Sequence, residues 1–229
     1  MTEENHDDQA STEQLSELTP LEARVLGSLM EKQRTTPDAY PLTLNALVQA
    51  CTQKTSRKPV MRLEVGEVGH AVNALRDRGL IHASLSGRAE RYDHKMASNY
   101  RLNRQEQALL CALMLRGPQT EGELRSNTAR MAEFPDLSAV ADTLAGLAAR
   151  EPPLVTRLPR LPGKREERFG QLLCGEIDQQ TFAGAPAATE SPAHHGRVAE
   201  LEAQLADLRV ELDLLWRLTG LEGQRPKKP

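Results

Sequence analysis

Leu21, Val25, Leu26 and Leu29 recur at the spacing of one helix face, and the segment that carries them opens on "TPLE". There Thr19 is placed to cap, Pro20 suits the first helical position and Glu22 completes a capping box. The stretch "TTPDAYP" ends this helix. A second helix is predicted over about residues 43–51, with Leu44, Leu47, Val48 and Cys51 turned inward. A third is predicted over about 64–78, with Val65, Val68, Val72 and Leu75 inward and Gly79 stopping it. The period then changes. "LIHASL", a turn at Ser86 and Gly87, and "AERYDHKM" read as two antiparallel strands.

From residue 101 the same order returns. Asn103 caps "RQEQALLCALML" with Glu106 in the box position, "TEGELRSNTARM" is helical, and Asp136 caps "LSAVADTLAGLAAR". "PLVTRL", "LPGK" and "EERFGQLL" then form a second hairpin. The match of "GRAERY" with "GKREERF", in the same place after the third helix, marks a duplicated unit. Three helices followed by a hairpin is the order of a winged helix. The expected fold is therefore mainly α with small β-hairpins (α+β), built as two tandem winged-helix domains over 18–100 and 101–175.

Residues 1–17 hold Glu3, Glu4, Asp7, Asp8, Glu13 and Glu17 without Lys or Arg, and are expected to form a disordered acidic tail. Residues 176–196, rich in Ala, Pro, Gly and Ser, read as a flexible linker. In 197–220, Val198, Leu201, Leu205, Leu208, Leu212 and Leu215 alternate three and four apart, the a/d seam of a coiled-coil-like helix. Leu214, Trp216 and Leu218 lie off the seam and widen the apolar face. A homodimer paired through this helix is the expected assembly, with docking on the body as the competing use. A basic tail, 221–229, closes the chain.

The strings "LTPLEARVLGSLMEKQRTTPDAYPLTLNALVQACTQKTSRKPVM", "LRGPQTEGELRS" and "LPGKREER" resemble the bacterial YceH family over roughly residues 18–175. That resemblance implies the tandem winged-helix fold. It brings no catalytic or ligand positions, because the family carries no assigned biochemical role. The acidic tail and the heptad segment lie outside the matching stretch.

Composition narrows the functional classes. With three Phe, three Tyr and one Trp among 229 residues, the chain has few platforms on which bare bases would stack. A net charge of -3 argues against coating nucleic acid by bulk charge, so any contact must come from local patches. Cys51, Cys111 and Cys174 are widely separated and form neither a CxxC pair nor a disulfide framework, which fits a reducing cytoplasm. No export signal and no run of about 18 apolar residues is present, so neither secretion nor a membrane is expected. His82 and His94 fall on opposite strands of the first hairpin and are weighed as a facing pair, yet no further ligands sit at metal spacing. Neither a P-loop, GxGxxG, GxSxG nor paired catalytic carboxylates occur in context, so no cofactor and no enzyme activity is expected.

Two basic segments remain as candidates. "TQKTSRKPVMR" joins the second and third helices and brings Lys54, Arg57, Lys58 and Arg62 without an acid, in place of a turn that is usually about 3–4 residues long. The second hairpin sets Arg157, Arg160, Lys164, Arg165 and Arg168 against Glu166 and Glu167, while the first balances Arg88 and Arg91 against Glu90 and Asp93. Both segments suit phosphate. The competing readings are a solvated loop and Arg–Glu pairs across the strands. The helices that would enter a major groove are poor readers, with Glu64 and Glu67 at the start of one and Asp136, Ser138, Asp142 and Thr143 along the other. The expected function is non-enzymatic binding of double-stranded DNA, with transcriptional regulation as the candidate role, through the 52–62 loop and the second wing. The alternative is a protein–protein interaction module using the winged-helix surfaces and the C-terminal helix.

Overall fold

Thr19 caps α1 (Pro20–Thr35) reciprocally: its hydroxyl accepts from the Glu22 N–H at 3.2 Å, and the Glu22 carboxylate accepts from the Thr19 N–H at 2.7 Å. Two of the four N–H groups that a helix start leaves without intrahelical partners are thereby satisfied. In this computed structural model, which describes residues 17–86, 89–160, 163 and 166–177, a 3-10 turn at Pro37–Ala39 and β1 (Leu42–Thr43) follow. Next come α2 (Leu44–Cys51), capped by Thr43, and α3 (Val65–Asp77). Gly79, at φ 66°, turns the chain into β2 (Ile81–Ser86), which pairs antiparallel with β3 (Ala89–His94). The two-residue β1 adds a third strand, giving the order β1-β3-β2.

After the short α4 (Met96–Asn99), the second half begins with α5 (Arg104–Arg116), whose Asn103 and Glu106 make the expected capping box. It continues through α6 (Glu121–Thr128), α7 (Leu137–Ala148) capped by Asp136, β4 (Val155–Leu158) and β5 (Arg168–Gln171). The protein is thus α+β, with two small antiparallel sheets among its helices. The repeat extends into detail that the motifs do not show. Where the first half pairs Leu42 with Tyr92, the second pairs Gln119 with Phe169 through N–H···O bonds of 3.0 and 2.8 Å.

The buried side chains of both halves form one continuous cluster, and its centre is the packing of α1 on α5. Gly27 makes that approach possible. A Cβ at this position would lie 3.0 Å from Cδ2 and Cγ of Leu115 and 3.3 Å from Cβ of Met114, and the Cys111 thiol donates to the Gly27 carbonyl at 3.2 Å. Gly27→Val should therefore cost about 1–3 kcal/mol by overpacking. Gly27→Ala should cost less, because its Cβ is offset in part by about 1 kcal/mol of helix propensity. Urea unfolding of the two variants beside the parent checks the ranking. At the far end of the halves, the Leu18 N–H donates to the Leu173 carbonyl at 2.7 Å, tying the entry of α1 to the exit of the second sheet.

Two expectations need correction. Val65 belongs by spacing to the stripe of Val68, Val72 and Leu75, yet it is 48% exposed while the other three are buried. The stripe runs past the surface that covers it, and the first turn of α3 projects beyond. His82 and His94 do not face each other. His82 lies opposite Asp93 and His94 opposite Ile81, one step apart in register, so the two rings fall on opposite faces, His82 exposed and His94 buried.

Candidate nucleic-acid interface

The loop between α2 and α3 is long because it is built into the body. Arg57, at 3% exposure, sends its guanidinium inward: Nε donates to the Ala50 carbonyl at 3.1 Å, and Nη1 and Nη2 donate to the two Glu31 carboxylate oxygens at 3.2 and 2.7 Å. Arg24 of α1, at 2% exposure, holds the loop from below by donating to the carbonyls of Cys51 and Pro59 at 3.2 and 2.7 Å. Burial raises the Glu31 carboxyl, but the hydrogen bond and charge of Arg57, with Lys32 beside it, outweigh this and hold it below the usual carboxylate range. Burial and the nearby Arg57 charge lower Arg24 in turn. Arg57 is therefore a strut of the fold and is removed from the expected phosphate contacts. Lys54, Lys58 and Arg62 are exposed and, among the described residues, paired with no carboxylate.

The second wing is corrected in a similar way. Arg168 bridges to both oxygens of Glu123 at 2.8 and 3.1 Å and donates to the Pro118 carbonyl at 2.9 Å. Its counterpart Arg91 donates to the Pro41 carbonyl at 2.8 Å, so the repeat uses one arginine in each half to clamp a hairpin to the segment before the second helix. Arg157 pairs with Glu167 across the hairpin at 2.6 Å, and Arg160 stands 3.8 Å from the same carboxylate. Among the described residues, Arg160 is the least engaged arginine of this wing, and the exposed Glu166 offsets its charge. Lys164 and Arg165 lie outside the described residues, as do Arg88 of the first wing and the heptad positions Val198, Leu201, Leu205, Leu208, Leu212 and Leu215.

The structure adds a juxtaposition that sequence separation hides. The Lys58 N–H donates to the Leu115 carbonyl at 2.9 Å, and Arg168 reaches the Pro118 carbonyl. Leu115 and Pro118 are three residues apart, a span of at most about 11 Å. Both basic segments are thus fastened to the same end of α5, where the half-buried Arg116 and Gly117, at φ 72°, close the helix. Cations at a helix C-terminus also complement its dipole, which accounts for part of this arrangement without any ligand.

Around this end the helices offer little to bases. The exposed start of α3 is Glu64, Val65, Gly66 and Glu67, and Arg76 near its other end pairs with Glu90 at 3.3 Å. Arg125 of α6 is spent on the carbonyls of Phe134 and Pro135, at 3.2 and 2.6 Å. Among the described residues, no three His, Cys, Asp or Glu side chains are grouped to hold a metal, and no helix is long and apolar enough to cross a membrane. A cleft between α1 and α5, bordered by Met30, Arg34, Arg104 and Met131, has a cavity volume of about 10 Å³. That is below the size of ordinary ligand pockets, about 300–1,000 Å³.

Comparison with known proteins extends the reach of the resemblance. The profile of the family described as "Protein of unknown function, DUF480" matches residues 18–164. A UPF0502 protein of Burkholderia multivorans is 47% identical over 211 residues, covering 91% of this chain and 90% of its own. UPF0502 proteins of Vibrio parahaemolyticus and Cellvibrio japonicus are each 46% identical, covering 87% and 85% of this chain and 94% and 92% of their own. These spans exceed the 18–175 stretch on which the resemblance rests in the sequence. With its helices, capped starts and paired hairpins in this order, the chain belongs to the uncharacterised bacterial UPF0502 family, which includes YceH.

Proposed function

We propose that the chain binds double-stranded DNA without catalysing a reaction on it, through the exposed cations Lys54, Lys58, Arg62 and Arg160 around the C-terminal end of α5. The observation that carries this reading is the fastening of two basic segments, over a hundred residues apart in sequence, to Leu115 and Pro118. The element order supports it: α2–α3 and α6–α7 are helix pairs each followed by a hairpin, as in tandem winged helices. Fold alone is analogy, so the cations must bear the claim. Lys164 and Arg165 join the set by sequence, and regulation of transcription is one role such a binder serves.

Four phosphate contacts predict that affinity for a duplex falls on the order of 100-fold between 50 and 200 mM salt. Replacing Lys54, Lys58 and Arg62 together by Ala should lower the slope of log affinity against log salt by about 3. Fluorescence anisotropy with a labelled duplex measures both. Absence of binding at low salt would refute the proposal.

A second reading, a protein-interaction module, is favoured by the outward face of α7. There Leu137 is 46% exposed beside Ala145, Gly146 and Ala149, with Asp142 as the one charge of the helix. For assembly, the heptad positions 198–215 support a homodimer. Truncation after Gln180 should convert a dimer to a monomer while the helical content of the body persists, as read by light scattering and circular dichroism.

A further inference from the structure

We infer that the duplex is held through its phosphates alone, so that this protein is a sequence-independent double-stranded DNA binder. The inference rests on the proposed function and concerns what the cationic end recognises. Base edges are read by Arg, Lys, Asn or Gln presented near the start of a helix lying in the major groove. Both helices in that position fail this requirement, and they fail it differently.

In α3, the exposed first turn presents Glu64, Val65 and Glu67, and the Glu67 carboxylate is already committed to the Glu64 N–H at 2.8 Å. Its exposed polar residues able to donate, His70 and Asn73, stand in the second and third turns, behind carboxylates that repel the approaching backbone. Arg76, which has the fork suited to guanine, is engaged by Glu90. In α7, the Asp136 carboxylate caps the helix by accepting from the Ala139 N–H at 2.8 Å, and the residues that follow outward are Leu137, Ser138, Ala141, Asp142 and Ala145. None of these is a bidentate reader. Of the guanidiniums ahead of α7, Arg125 is turned back on the carbonyls of Phe134 and Pro135, where it fixes the loop, and the exposed Arg130 stands between α6 and α7 rather than on the helix itself.

The exposed cations stand on loops instead of on these helices. Lys54 and Lys58 are point charges on flexible stems, suited to phosphate and indifferent to base identity, while Arg62 carries the fork suited to guanine but precedes the α3 N-cap, and Arg160 stands 3.8 Å from Glu167. The loop between α2 and α3 is immobilised from beneath by Arg24 and Arg57 and pinned to Leu115, so its charges are held at a set spacing from the second wing. Such an arrangement offers charge to backbone phosphates, which every duplex presents.

The test uses the full chain and four unrelated 24-base-pair duplexes, two AT-rich and two GC-rich, at a series of salt concentrations. Affinities within about threefold of one another, with a common salt slope, support the inference, since specific binders separate sites by about 1,000-fold or more. Selection from a random-sequence duplex pool supplies the harder trial. Recovery of a sequence bound about tenfold tighter than its scrambled form would overturn the inference and leave the DNA reading intact. Failure of every duplex to bind at 50 mM salt would overturn both. His70→Ala and Asn73→Ala should each leave affinity within about twofold, and a larger loss confined to one sequence would restore base reading by α3.

Discussion

Glu31→Ala is expected to lower stability by about 3–5 kcal/mol, the cost of leaving a buried charge without its partner. Glu31 supplies both oxygens to Arg57, whose side chain is fully covered, and among the described residues it is the one carboxylate that Arg57 meets. Arg24 lies close by with its Nε unpartnered, so removal of Glu31 leaves two enclosed guanidiniums repelling each other with only backbone carbonyls, and no carboxylate among the described residues, to answer them. The double variant Glu31→Leu/Arg57→Met should cost less than Glu31→Ala alone, because it removes the desolvated charge along with its partner. Chemical denaturation of the parent and both variants measures these losses. A loss below 1 kcal/mol for Glu31→Ala would show that water reaches Arg57 and that the loop is not the strut described above.

Acidification should weaken the fold through His94. The ring is buried, with Nε2 3.0 Å from Gln33 Oε1 and Nδ1 lacking any partner. Burial is the main cause that brings its pKa down from 6.5 to about 4, Arg34 and Lys95 acting in the same direction and Asp93 against it. The unfolded chain therefore binds a proton in the window between these values and the folded chain does not. The stabilisation is whole above about pH 6.5 and is lost as pH falls towards 4, by about 3 kcal/mol in all. His94→Phe should shift stability by an amount that is constant above pH 7 and becomes less unfavourable, or favourable, as the medium is made acid. Parallel slopes for parent and variant from pH 7 to 4.5 would exclude a role for this ring.

What the sequence made legible is what depends on neighbours three or four residues away. Thr19 with Glu22 and Asn103 with Glu106 are local devices, and they stand where spacing placed them. Arg57 and Lys58 show the limit. They are adjacent in one basic run, yet one is buried and the other exposed, and the difference is made by Glu31, 26 residues away. Arg168 likewise became a clamp through Pro118 and Glu123, partners 50 and 45 residues distant. The two-residue β1 carries too short an alternation to register as a strand, and its existence is owed to β3. Charge was readable as composition, whereas which charges are free to meet a ligand was decided by tertiary packing. The alternation of Arg and Glu in "KREERF" did offer a signal, since Glu167 answers Arg157 across the strands.

The glycine contact between α1 and α5 bears on how the chain is organised energetically. A duplicated sequence invites the picture of two beads, each able to melt while the other stands. Here the first helix of each copy packs against the first helix of the other, so opening either copy uncovers Gly27 and Met30 or Cys111 and Leu115 in its twin. The two halves are therefore expected to unfold in a single cooperative step rather than one after the other.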